Sequence, residues 1–290
     1  MKHIRLSVSR WCAIHEKQIC PICPHHCSLA EGAVGFCRAR GNVNGEIKAI
    51  NYGLLTAVAL DPIEKKPLRR FYPGSYILSI GSFGCNLRCP FCQNHTISMA
   101  TINDVPVRLM QPHEVVTLAH VLQKQGNIGI AYTYNEPLVG YEFVVDCAML
   151  ARKHGLKNVL VSNGYCCADP LTNLLPLLDA VNFDLKAFSN EFYQKLSGDL
   201  ETVKQSIQLA AEYTHVEVTT LVIPHANDSE AEIRALAQWL ASISKDIPLH
   251  LTRFFPQYHM TDRPPTSIQH LQRLAQIARQ SLNYVYLGNC

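Results

Sequence analysis

Short apolar runs recur from residue 76 onward, and their spacing limits the folds open to this chain. They read YILSIG (76–81), NIGIAYTY (127–134), NVLVSNG (158–164), AVNFDLK (180–186), VEVTTLVIP (216–224) and LHLTRFFP (249–256). Helix-like segments of amphipathic spacing lie between them. In QPHEVVTLAHVLQKQG, Pro112 suits a first helical turn and Gly126 a stop. LVGYEFVVDCAMLARKHG ends in basic residues and Gly155, and DSEAEIRALAQWLASIS offers Asp228 or Ser229 as an N-cap. Successive runs start about 20–50 residues apart, a distance that calls for parallel strands with helical crossovers.

Two α/β architectures accept such a pattern: a doubly wound open sheet and a (β/α) barrel. No glycine-rich dinucleotide fingerprint follows the first run, where GSFGCN leads into cysteines instead. In a barrel, chemistry gathers at the C-terminal ends of the strands. The polar residues fall there: the cysteines after the first run, then NEP, SNG, DLK, IPHAND and RFFPQYH. The expected fold is therefore α/β, a partial (β/α)6 TIM-like barrel over residues 76–290. Residues 1–75 read as a small irregular Cys-rich segment with a short strand near EIKAI. The polar, proline-bounded DPIEKKPLRRFYPGS (61–75) reads as a connector and sets the boundary.

The chain has 290 residues, 48% of them apolar, enough for one large domain with a full core. Its net charge of +3 comes from acids and bases mixed along the chain. No basic stripe marks a nucleic-acid partner. The first residues lack the apolar core of a signal peptide, and no stretch reaches the length of a membrane span. A cytoplasmic location is expected. Thiols stay reduced there, so the twelve cysteines point to metal or redox chemistry rather than disulfides.

Seven of the twelve fall in two clusters. Cys85, Cys89 and Cys92 form a C-x3-C-x2-C run in SFGCNLRCPFCQN, directly after the first strand, with Phe91 as an aromatic at the rim. A four-iron cluster takes one thiolate per iron, so three thiolates leave one iron open. Catalytic metal sites keep such a position and structural sites close it. A zinc knuckle borrowing His95 is the alternative. Cys20, Cys23, Cys27 and Cys37 give C-x2-C-x3-C-x9-C on a glycine-rich segment. Four ligands suit a closed site for zinc or an auxiliary iron–sulfur cluster, with His25 and His26 as substitute ligands. Four unligated thiols are the alternative.

C-x3-C-x-aromatic-C after a first barrel strand resembles the radical S-adenosylmethionine (SAM) enzymes. The combination CPICPHHCSLAEGAVGFCRAR, DPIEKKPL, GCNLRCPFCQN, YTYNEP and YVYLGN resembles the AmmeMemoRadiSam system radical SAM group. That group is related to pyruvate formate-lyase activating enzymes. The resemblance implies a [4Fe-4S] cluster on Cys85, Cys89 and Cys92 whose open iron binds S-adenosyl-L-methionine. Reduction then yields a 5′-deoxyadenosyl radical that takes a hydrogen atom from substrate. In YTYNEP, Glu136 matches the family acid that grips the methionine amino group. Tyr134 and Asn135 stand where the family has glycines, and Asn135 is assigned to the cofactor with Glu136. Ser162 and Asn163 resemble donors near the cofactor ribose and carboxylate. Asp184 and Lys186 resemble the Asp-x-Lys of the glycyl-radical activase subgroup; an ion pair between the two is the alternative.

The implied partners are an electron donor and an unidentified substrate, either a small molecule or a partner protein whose glycine would be activated. A non-enzymatic iron–sulfur or zinc protein is the reading from another class. LVIPHAND and HLTRFFPQYH end strands five and six, and His250, Arg253 and His259 of the second are candidates to face substrate or the cofactor. Cys166 and Cys167 follow strand three, toward the expected active face. Cys147 falls in a helical pattern and reads as core.

Overall fold

The computed structural model describes residues 17–290. Cys12 lies outside them. One sheet of eight strands organises the molecule. Its strands are β1 (Ala57–Pro62), β2 (Tyr76–Gly81), β3 (Asn127–Tyr132), β4 (Lys157–Ser162), β5 (Ala180–Asp184), β6 (His215–Val222), β7 (Leu249–Arg253) and β8 (Val285–Gly288). They lie in sequence order across the sheet. β2 through β8 pair in parallel, while β1 pairs antiparallel with β2, Ala57 opposite Gly81. All six expected strands are present. β1 and β8 flank them and form the two edges of an α/β partial barrel.

The crossover helices are α1 (Pro112–Val121), α2 (Tyr141–Lys153), α3 (Ala168–Leu174), α4 (Leu200–Ala211), α5 (Glu230–Ile243) and α6 (Ile268–Ala278). Their starts are chemically marked. Gln111 and Glu114 form a capping box ahead of Pro112, and Ser229, Asp199 and Ser267 cap α5, α4 and α6. Gly126, at φ +83, follows the turn that extends α1. The buried stripe recurs at three and four residues, as in Val144, Cys147, Ala148 and Ala151 of α2. It packs against strands that are buried in turn, with Leu78, Ile130, Leu160, Val181 and Val218 in the same core. Each such side chain contributes about 2 kcal/mol. Cys147 is in that core, as its helical position suggested. Close strand spacing also fixes Gly129, where a Cβ would lie 1.9 Å from the Lys157 carbonyl oxygen.

The segment that reads as a polar connector has a second role. Ile63 and Leu68 are fully buried against Ile77, Ala131, Val159 and Ala180. The backbone amides of Arg69 and Arg70 donate to the Glu217 carboxylate at 3.0 and 2.8 Å. Asn182 Nδ2 donates to the Pro67 carbonyl oxygen at 2.9 Å. The connector thus closes the end at which the parallel strands start. β1, upstream of residue 75, supplies the antiparallel edge, so the N-terminal segment shares the main sheet. Apolar residues scattered among lysines and prolines left no periodic signal for this packing.

Two small hairpins precede β1, pairing Gln18–Ile19 with Ser28–Leu29 and Arg40–Val43 with Glu46–Ala49. The second contains the strand expected near EIKAI. Arg40, 3% exposed, bonds Glu142 of α2 at 2.6 Å and ties this segment to the barrel. Among the described residues, no helix is long and apolar enough to cross a membrane.

Candidate functional site

The C-terminal ends of the parallel strands surround a cavity of about 320 Å³. Cys85, Cys89, Phe91 and Cys92 reach it from the loop after β2, and Asn135 and Glu136 from the loop after β3. Ser162 and Asn163 line it at the end of β4, and Asp184 and Lys186 after β5. The structure therefore brings together every residue the sequence assigned to the cofactor loop. A parallel sheet does this without sequence proximity, because all its strands point the same way.

The three thiols have no disulfide partner. Leu87 N–H points at Cys85 Sγ from 3.4 Å and Asn163 Nδ2 lies 3.6 Å from the same sulfur. Burial raises Cys85 above the ordinary thiol range and pushes Cys89 up to about 12. A bound metal would hold all three as thiolates. Soft thiolates on separate loop positions, with N–H donors aimed at sulfur, fit an iron–sulfur cluster. His95 is used otherwise: Nδ1 lies 3.1 Å from the Cys92 carbonyl oxygen, and its ring stacks on Tyr258 at 4.4 Å. Phe91 is buried, its ring 6.1 Å from Phe192.

Glu136 is the most constrained acid in the cavity. Oε1 accepts from Leu138 N–H at 3.0 Å and from Ser162 Oγ at 2.9 Å, while Oε2 accepts from Asn163 N–H at 2.8 Å. Burial raises its carboxyl to about 7, and the Asn163, Leu138 and Ser162 donors only partly offset this. A cationic group beside it would favour the carboxylate. Asn135 holds the cysteine loop in place: Oδ1 accepts from Ser82 N–H at 2.9 Å, and Nδ2 reaches the carbonyl oxygens of Phe83, Gly84 and Glu136. Asn163 likewise bonds Asn86 Oδ1 at 2.9 Å.

Lys186 Nζ and Asp184 Oδ2 are 2.6 Å apart. The ion pair and the cavity position coexist. Burial alone would lower Lys186, but the charge and hydrogen bond of Asp184, together with the neighbouring Cys89 and Cys92 sulfurs, outweigh it and hold the ammonium above the usual lysine range.

Several cavity residues escaped the sequence reading. Thr219, Leu221 and Thr252 face it from β6 and β7, and Lys65 and Pro67 from the connector. A threonine amid the apolar β6 run was the available signal for Thr219. Tyr134 also lines the cavity; it takes φ +71, and its hydroxyl donates to Asp61 at 2.6 Å. Lys66 bonds the same carboxylate at 2.9 Å and sits 4.5 Å above the Tyr134 ring.

Other candidates lie elsewhere. His250 bonds Glu217 at 2.6 Å, near the start of β7 rather than its end. Arg253 donates from Nε to the Thr266 carbonyl oxygen at 2.7 Å and holds its own loop. His259 N–H donates to the Pro90 carbonyl oxygen at 2.9 Å, and so touches the cysteine loop through its backbone. Cys167 meets the N-terminal segment, its N–H donating to the Ile22 carbonyl oxygen at 2.9 Å, while Cys166 is buried in the main core. Cys167 Sγ is 3.9 Å from His26 Nε2. His25 Nε2 instead lies 2.8 Å from the Asn86 carbonyl oxygen.

Comparison with known proteins gives a concordant picture. The family model described as Radical SAM superfamily matches residues 79–239. The uncharacterized protein MJ0808 of Methanocaldococcus jannaschii is 42% identical over 274 residues, covering 93% of this chain and 80% of that protein. The pyruvate formate-lyase 1-activating enzyme of Escherichia coli is 30% identical over 166 residues, covering 54% of this chain and 65% of the enzyme. The crystal structure of a radical SAM methyltransferase from Sphaerobacter thermophilus shares the fold, with a TM-score of 0.57 at 17% identity. That match covers 75% of this chain and 67% of the other.

Proposed function

This chain belongs to the radical SAM superfamily, and from that premise we infer that Cys85, Cys89 and Cys92 hold a [4Fe-4S] cluster with one open iron. When bound, the reduced cluster and S-adenosyl-L-methionine supply a 5′-deoxyadenosyl radical that takes a hydrogen atom from substrate. The supporting observation is convergence: three thiols free of disulfides share one cavity with Glu136, Ser162, Asn163, Asp184 and Lys186.

The protein's own residues do the positioning. Glu136 presents a carboxylate beside the thiols to receive the cofactor ammonium. Its three protein donors fix where that charge sits. Ser162 and Asn163 hold the rim at which the ribose and carboxylate would lie. The Lys186–Asp184 pair lines the same cavity with both charges already compensated, so a polar substrate meets a fixed dipole rather than a bare charge. Phe91 and Leu87 cover the loop with apolar surface. Cys20, Cys23, Cys27 and Cys37 would hold a second metal centre in the Cys-rich segment that precedes β1, the edge strand of the barrel sheet.

Glycyl-radical activation of a partner protein is the second reading. It is favoured by the likeness to the Escherichia coli activating enzyme. Either way the reaction needs an electron donor.

The test is anaerobic reconstitution, then incubation with dithionite and S-adenosylmethionine, with 5′-deoxyadenosine as the product measured. Product is expected from the wild type and none from Cys89→Ala. A wild-type protein with a demonstrable four-iron cluster that never forms 5′-deoxyadenosine sinks the reading.

A further inference from the structure

Two cysteine motifs lie about 50 residues apart in sequence, yet they abut in the fold. The amide N–H of Cys85 donates to the carbonyl oxygen of Cys37 at 3.2 Å. The approach requires a glycine beside it: Gly84 takes φ +88, and a Cβ there would lie 2.5 Å from that same Cys37 oxygen. A second connection runs through side chains. The Asn86 carbonyl oxygen lies 2.8 Å from Nε2 of His25, within the upstream motif, and Asn86 Oδ1 accepts from Asn163 Nδ2 at 2.9 Å. Asn163 Nδ2 is in turn 3.6 Å from Cys85 Sγ. Both routes run from the upstream motif to Cys85.

The upstream thiols are placed as ligands of a shared centre would be. Cys20, Cys23 and Cys37 are buried, Cys27 is partly buried, and none has a disulfide partner. Cys20 N–H donates to the Cys27 carbonyl oxygen at 3.0 Å, and Phe36 N–H points at Cys27 Sγ from 3.4 Å. Four thiols withdrawn from solvent on one short segment, with a backbone N–H aimed at sulfur, match thiolates on a metal centre.

The neighbouring loop distinguishes the kind of centre. Zinc has no redox chemistry and would gain nothing electronically from contact with the Cys85 loop. An iron–sulfur cluster, with one thiolate at each of its irons, can exchange an electron with a second cluster beside it.

We propose that Cys20, Cys23, Cys27 and Cys37 hold an iron–sulfur cluster that first accepts the electron and passes it to the cluster on Cys85, Cys89 and Cys92. The proposal rests on the radical SAM reading of the second site. The donor is a low-potential one-electron carrier protein of the ferredoxin or flavodoxin class. It gives one electron to the upstream cluster, which returns to its oxidised form on passing that electron inward. The same electron completes cleavage of the sulfonium C5′–S bond, leaving methionine and the 5′-deoxyadenosyl radical.

The test combines metal counts, electron paramagnetic resonance and two reductants on the full chain. Wild-type protein is expected to bind about eight irons, and Cys23→Ala about four. Doubly reduced wild type is expected to show a spectrum broadened by coupling between two neighbouring spins. Cys23→Ala should give a single unbroadened signal. With a ferredoxin or flavodoxin as donor, 5′-deoxyadenosine formation by Cys23→Ala should fall at least tenfold, and with dithionite by less than half. Zinc with about four irons in the wild type, uncoupled spectra, or equal losses with both reductants would each overturn the proposal. The wild-type counts and spectra decide it even where the variant misfolds. If the wild type carries both clusters yet makes no 5′-deoxyadenosine with dithionite, the radical SAM reading fails, while the spectra still report on the pairing of the clusters.

Discussion

Asn135 Nδ2 donates to the Gly84 carbonyl oxygen at 3.0 Å, one residue before the first cysteine of the three-cysteine loop. Oδ1 of the same side chain accepts from Ser82 N–H. One amide from the loop after β3 thus sets the start of the loop after β2.

Asn135→Ala removes these bonds and leaves the Ser82 N–H without its acceptor. The expected cost is about 1–3 kcal/mol. The functional consequence is a loosened cysteine loop. Iron retained after gel filtration should fall relative to wild type while the circular dichroism stays unchanged.

Gly84→Ala places a methyl group 2.5 Å from the Cys37 carbonyl oxygen and 2.7 Å from the Ala39 Cβ, at a φ of +88. Backbone, not a flexible side chain, must yield. A loss of about 2–4 kcal/mol is expected in urea unfolding. Limited proteolysis should cut the Cys-rich segment faster in the variant.

Tyr134→Phe tests the polar cluster beneath the cavity. The phenol donates to Asp61, whose carboxyl is raised by burial but held down at about 2 by Tyr134, Lys66 and Ser79. Losing a hydrogen bond to a charged group is expected to cost about 1.5–3 kcal/mol. An unchanged midpoint in urea would show that Lys66 alone suffices for Asp61.

Glu217 gives the acid dependence of stability. It is 0% exposed and accepts from His215, His250 and the amides of Arg69 and Arg70. Burial alone would raise its carboxyl; those donors outweigh burial and hold it at about 2, against 4.5 for an ordinary glutamate. Between these values the unfolded chain binds the proton and the folded chain does not. The contribution is therefore present above pH 4.5 and is lost as pH falls toward 2. Its size is about 3 kcal/mol, of which about 2 kcal/mol is gone by pH 3. Urea unfolding of the wild type from pH 7 to pH 3 should show this extra loss, and Glu217→Gln should lack it.

The six parallel strands, their crossover helices and the three-cysteine loop were legible because each is a local pattern. Helix stripes recur at three and four residues, caps mark the starts of α4, α5 and α6, and the cysteines fall within eight residues of one another. The ten residues assigned to the catalytic and cofactor site share one cavity for the same reason: each follows a strand that points the same way. Lys65, Pro67 and Thr252 were missed because no sequence period links them to that loop.

The sequence by itself determined the class of fold, the three-cysteine loop and which strand ends carry polar groups, since periodicity and cysteine spacing are properties of neighbours along the chain. Only the tertiary structure decided the rest. It turned DPIEKKPLRR into the floor of the barrel, moved His250 to the strand starts beside Glu217, and set Cys37 against Cys85. Each of these is a contact between residues distant in sequence. Buried polar groups choose such partners only once the packed sheet has fixed which of them are within reach.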